Sequence, residues 1–78
     1  MAAIVAGTPC TLDGDSSCTS MCPSGYYAIN AAFQQTAGVD GFALLESYPM
    51  GPSMWFVDID AIGAEDYEGT MTAVCLLA

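Results

Sequence analysis

The chain has 78 residues, nine carboxylates and no lysine, arginine or histidine, for a formal net charge of −9. Without side-chain cations it cannot neutralise nucleic-acid phosphates, grip a carboxylate with an arginine fork or form a lysine Schiff base. Without histidine it lacks the side chain that ordinarily moves protons near neutral pH.

The N-terminal run Ala2-Ala3-Ile4-Val5-Ala6 is apolar, small and β-compatible, and Gly7-Thr8-Pro9 breaks it. Residues 1–9 therefore read as an apolar arm ahead of a single domain over 10–78. Met1–Gly7 has no basic n-region and is too short for a complete signal peptide. Leu12–Ser20 is rich in aspartate, serine and glycine and is expected to be an irregular polar loop. Tyr26–Phe33 is a candidate strand, with Tyr27, Ile29, Ala31 and Phe33 on one face. Phe33–Ala37 also fits a helical turn. After the Gly38-Val39-Asp40-Gly41 turn, Phe42–Tyr48 is a third candidate strand, blurred by the Leu44-Leu45 pair. Prolines 49 and 52 mark a tight loop.

Met54–Ile62 has the clearest period of two. Trp55, Val57, Ile59 and Ala61 face the core, and Phe56, Asp58 and Asp60 face outward. Glu65–Gly69 reads as an acidic hairpin loop. Thr70–Leu77 alternates threonine with Met71, Ala73 and Cys75. Turn signals recur throughout and no long helical period is present, which favours an all-β domain. No apolar stretch is long enough for a transmembrane helix.

A chain this short is marginal on its hydrophobic core alone. Cys10, Cys18, Cys22 and Cys75 are an even set, expected to form two disulfides in an oxidising, extracellular setting. Four cysteines allow three connectivities, and a cysteine bridging two subunits is a further option. A Cys10–Cys18 bond would close the polar loop into a ring. Zinc fits poorly, because no histidine assists and Cys75 lies far from Cys18-x3-Cys22.

The run Cys22-Pro23-Ser24-Gly25-Tyr26-Tyr27, then Ser47-Tyr48-Pro49, then Trp55-Phe56-Val57, then Ala73-Val74-Cys75, resembles a recurrent bacterial secreted β module. Its pattern is Cys-Pro-x-Gly, Ser-x-Pro, Trp-x-Val and Ala-x-Cys, also found at the ends of appendage and phage-fibre proteins. The resemblance spans residues 22–75 and implies an exported domain closed by a Cys22–Cys75 bridge, with no attached catalytic activity. This chain departs from the pattern in lacking basic residues, in carrying alanine where glycine is common, and in adding Met1–Met21. Such a bridge would suit the fold: Cys22 opens the first central strand and Cys75 ends the last. Trp55 is then expected to anchor the core beside it. The whole reads as a small, disulfide-stapled antiparallel β-sandwich with an N-terminal extension.

Only carboxylates offer metal ligands. Asp13 and Asp15 flank Gly14, and Asp58 and Asp60 share a strand face. Clustered carboxylates repel unless a cation lies between them, and calcium accepts loose oxygen geometry. Asp13, Asp15, Asp58 and Asp60 are therefore candidate calcium ligands, against the plainer reading of a solvated acidic surface. No complete EF-hand loop is present. Paired carboxylates also serve glycoside cleavage, but Asp58 and Asp60 point the same way and no cleft is expected. No nucleophile and base pair is found, so no enzyme is expected.

More than half the chain, 54%, is apolar or aromatic, more than so small an interior hides. Ala2, Ala3, Ile4, Val5, Ala6 and Phe56 are the candidate assembly residues. An apolar arm can add a strand to a neighbouring copy, and a contact that does not close polymerises. The expected function is a self-assembling structural subunit of an extracellular filament or surface layer, its partners being copies of itself. The alternative is a carbohydrate-binding or adhesive module that stacks a glycan on exposed tyrosines.

Overall fold

The structure, a computed structural model, describes residues 3–78. It is an all-β sandwich of seven strands: β1 (Ile4–Ala6), β2 (Cys10–Asp13), β3 (Ser16–Met21), β4 (Tyr26–Gly38), β5 (Phe42–Pro49), β6 (Met54–Ala61) and β7 (Tyr67–Leu77). One sheet is built on β7 and the other has the order β3-β6-β5. All pairings are antiparallel.

Strand β7 organises the first sheet. β4 runs along it from Tyr26↔Leu77 to Gly38↔Tyr67 and occupies one edge. β1 pairs with residues 74–76 and β2 with residues 68–71, so they share the other edge as one interrupted strand. The interruption is Gly7-Thr8-Pro9. The Gly7 N–H still reaches the Ala73 carbonyl at 2.8 Å, but the Thr8 N–H turns away to the Met21 carbonyl of the opposite sheet at 2.9 Å. Proline follows at the one place where the chain has already left the ladder.

The core lies between the sheets. Leu12, Val57, Ile59, Ala61, Tyr67 and Met71 form one buried cluster, with Phe33, Phe42 and Trp55 packed against it. Odd-numbered residues of β7 from Tyr67 to Cys75 all face inward, as a half-buried strand requires. The rings of Phe33, Phe42 and Tyr67 form a chain with centroids 5.0 Å apart at each step.

Both disulfides form as Cys10–Cys18 and Cys22–Cys75. The first joins β2 to β3 across the sandwich. The second closes a span of 53 residues, worth about 4 kcal/mol in the chain-entropy account. Trp55 shares the core cluster with Cys10 and Cys18; Cys75 is buried outside that cluster.

Several element boundaries differ from the sequence reading. Leu12–Ser20 is mostly strand, because the buried Leu12 is followed by an exposed Asp13, and Ser17 and Thr19 alternate with Cys18 and the buried Ser20. Glu65–Gly69 is not wholly loop, since β7 begins at Tyr67, whose side chain is buried. Phe33–Ala37 is strand, not a helical turn, held by pairing with β7. Phe42–Tyr48 extends to Pro49, and Met54–Ile62 stops at Ala61.

The proposed face of β4 fails halfway. A register shift between Ala28 and Asn30 inserts Ile29 as an extra residue. Such a bulge swaps the faces on either side of it. Ala28 points inward before it and Ala31 and Phe33 after it, while Tyr27 and Ile29 are exposed. A second shift in β4 falls between Gln35 and Ala37, and one in β5 leaves Leu45 unpaired, which resolves the Leu44-Leu45 ambiguity.

Candidate functional sites

One end of the sandwich gathers most of its charge. The β2–β3 turn carries Asp15, the end of β6 carries Asp60, and the β6–β7 connection carries Glu65 at φ 63. Each of these three exposed residues offers a carboxylate oxygen within 4.8 Å of the others. The β3–β6 register explains the meeting. Ser16 stands opposite Ile59, so the residues just beyond them, Asp15 and Asp60, are neighbours.

Asp15 is the acceptor of the group. The Ala61 N–H donates to its Oδ1 at 2.8 Å. Hydrogen bonds from Asp60 and Glu65, with that backbone donor, hold the Asp15 carboxyl below the usual range. Asp60 and Glu65 are both pushed up, chiefly by their side-chain hydrogen bonds with Asp15 and then by its negative charge. Three carboxyls that interact this closely titrate as a unit. It can hold protons at mildly acid pH or a hard cation through its oxygens.

Of the four candidate calcium ligands, Asp15 and Asp60 meet here and Asp13 and Asp58 do not. Asp13 stands opposite Glu68 on β7, and Asp58 stands opposite Glu46 on β5. Glu65 is the member that sequence reasoning placed elsewhere, with Asp66 and Glu68. Its signal is topological: the β6–β7 connection must pass back over the β2–β3 turn.

The other end of the molecule has no acidic side chain. All nine acidic residues lie within 13–15, 40–46, 58–60 and 65–68. Residues 3–12, 16–39 and 69–77, which include β1, β3, β4 and most of β2 and β7, carry no side-chain charge. Around β1 the outward positions of the first sheet are apolar. Ile4 is paired with Leu76, Ala6 with Val74, and Tyr27 with Leu76 from the other side. Ile4 and Tyr27 are more than half exposed, at 65% and 52%. A shallow groove of about 390 Å³ crosses this face between β1, β7 and Ala32 of β4.

Of the candidate assembly residues, Ala2 lies outside the described residues. The Ala3 carbonyl accepts the Leu77 N–H at 3.0 Å, and Ile4, Val5 and Ala6 form β1 on the chain's own β7. Phe56 is outward on β6 but half-buried, with its ring 5.2 Å from that of Tyr48. Tyr27 and Tyr48 sit on different sheets and share no stacking platform.

One residue that sequence reasoning passed over binds the two sheets. Ser20 is fully buried; its Oγ donates to the Thr8 carbonyl at 2.6 Å and accepts the Ala73 N–H at 2.9 Å. A Cβ on Gly7 would come within 2.9 Å of that Oγ and 2.7 Å of the Met21 carbonyl, so only glycine fits there. The tie fixes where the arm leaves the first sheet. A serine among polar neighbours gives no sign of this in sequence.

Among the described residues no helix is long and apolar enough to cross a membrane. Two disulfides in so small a domain are compatible with an extracellular protein. Comparison with protein-family models, with curated proteins and with solved structures finds no match to this chain.

Proposed function

We propose that this protein is a self-assembling structural subunit of an extracellular filament or surface layer. What supports the reading is the segregation of its surface. Carboxylates crowd one end and the middle, and the face around β1 is apolar and uncharged. Two copies repel through the first region and can meet through the second. β1 supplies the joint. Its three residue pairs with β7 can be remade by the β1 of a neighbour, because identical residues serve both arrangements. Exchange in one direction leaves each copy with one arm to give and one site to fill, which propagates.

The Asp15, Asp60 and Glu65 cluster sets the conditions of assembly in this account. Protons or calcium relieve its repulsion, so mild acid or calcium favours growth and chelation at neutral pH reverses it. Size-exclusion chromatography with negative-stain microscopy on native full chain tests the proposal. Polymers of repeated subunits are expected. A single-copy species that binds immobilised glycans would support the adhesive-module alternative instead.

A further inference from the structure

We infer that the free edge of β4 is a second self-association joint, in which Ala31–Gln35 pairs antiparallel with the same segment of a second copy about a two-fold axis through Phe33. The joint is separate from arm exchange, which uses the opposite edge of β7.

The backbone geometry defines the open segment. The Ala31 N–H is taken by its neighbour's Asn30 Oδ1 at 2.8 Å, so it does not point into the β7 ladder. Hydrogen-bonding direction alternates along an antiparallel strand, so Phe33 and Gln35 turn their N–H and C=O groups the same way. No described residue bonds those groups. The strand is covered on both sides of this stretch. The Ala28 N–H donates to the Pro52 carbonyl at 2.9 Å, and the Gln35 side chain donates to the carbonyls of Ala37, Gly38 and Asp40.

The two long sides of the sandwich are unequal. Cys10–Cys18 staples the side formed by β2 and β3. On the other side β4 and β5 lie together without pairing, and β5 exposes Leu44 and Leu45, at 49% and 58%. Edge strands are ordinarily blunted by charge, proline or brevity. β4 has 13 residues, with no charged residue and no proline among them.

Charge and chemistry together select a second copy as the occupant. The exposed groups are backbone donors and acceptors, which an extended strand satisfies. A cationic partner would go to the acidic end. A copy of this chain, at −9, needs an approach that avoids carboxylates, and β4 provides one. The segment is also self-complementary. Phe33 falls opposite Phe33 of the second copy, Ala31 opposite Gln35, and each such pair exchanges both of its hydrogen bonds once Asn30 releases the Ala31 N–H. On the outer face Ala32 then stands opposite Gln34. Apolar Leu44 and Leu45 of both copies flank the joint.

Sedimentation velocity and amide hydrogen exchange on the full chain test this, with two variants at exposed positions. The native chain is expected to dimerise with rising concentration, and protection at the Phe33 and Gln35 amides should rise in step. Ala32→Glu with Gln34→Glu places like charges opposite each other at both outer pairs and should weaken dimerisation on the order of ten-fold. Ala32→Lys with Gln34→Glu places opposite charges there and should restore it. Single-copy mass at roughly 1 mM chain overturns the joint. So does association that neither variant alters, or that leaves Phe33 and Gln35 unprotected. Closed dimers that grow no further would uphold this joint and sink the filament; growth without protection at Phe33 and Gln35 would do the reverse.

Discussion

Ser20→Ala isolates the tie between the sheets. The substitution removes one oxygen and leaves the backbone in place. It strips a partner from the Ala73 N–H, which is fully buried, and from the Thr8 carbonyl, which is partly buried. An orphaned buried backbone group costs about 1–3 kcal/mol, and the less buried carbonyl should fall at the low end. The expected loss is about 2–4 kcal/mol. A chain of this size has a total stability of roughly 4–12 kcal/mol at ordinary values per residue. The loss is therefore a large fraction of the whole. With a urea dependence near 1 kcal/mol/M, the unfolding midpoint should fall by about 2 M or more. Trp55 fluorescence reads the transition with both disulfides intact. The same variant should also loosen the arm, because Thr8 is the corner from which β1 departs. Amide exchange of Val5 and Ala6 should then quicken more than that of core residues in β6. A midpoint shift below about 0.5 M would refute the assignment of Ser20 as the tie.

Four further outcomes follow from the same structure. Replacing Cys22 and Cys75 by alanine should cost about 4 kcal/mol, against about 2.5 kcal/mol for Cys10 and Cys18, because the closed spans are 53 and 8 residues; urea unfolding of both variants compares them. Tyr67→Phe should stabilise by about 1 kcal/mol, since the buried hydroxyl has no protein partner among the described residues. Burial raises the Tyr67 phenol above 10.0, so wild-type stability should fall as pH rises past that value, and the variant should lose that alkaline decline. Asp60 and Glu65 have raised pKa values, so their contribution is full below about 4 and is lost as pH rises through the folded values. Asp15 is lowered, so its contribution is present above 3.8 and is lost as pH falls further. Thermal stability should therefore peak at mildly acid pH, and Asp60→Asn should flatten the decline toward neutrality. Gly69→Ala should destabilise strongly, because its Cβ would strike the Tyr67 hydroxyl and come 2.7 Å from the Gln34 carbonyl; thermal denaturation by circular dichroism measures the loss.

The legible parts of this fold were those where side-chain alternation meets no irregularity. β6 reads directly, because Val57, Ile59 and Ala61 are buried and Asp58 and Asp60 are not. β4 misleads, because one extra residue at Ile29 inverts its faces, and nothing in Ala28-Ile29-Asn30 announces a bulge. Leu12–Ser20 looks like loop because its inward positions include serine, whose burial depends on a distant backbone partner. The acidic site was half visible. Asp15 and Asp60 stand out as carboxylates, but only the β3–β6 register shows that they meet each other and not Asp13 or Asp58. The crowding of charge at one end is also written in the chain, as long acid-free intervals, but becomes spatial only when the turns are known to lie together.

The central claim is that an uncharged surface joins copies while carboxylates restrain them. Light scattering of native full chain, titrated from pH 7 to about pH 4 and separately with calcium at pH 7, tests it most directly. The account predicts a particle mass that grows on acidification or calcium addition and falls again on neutral chelation. A mass of 8.1 kDa throughout would contradict it.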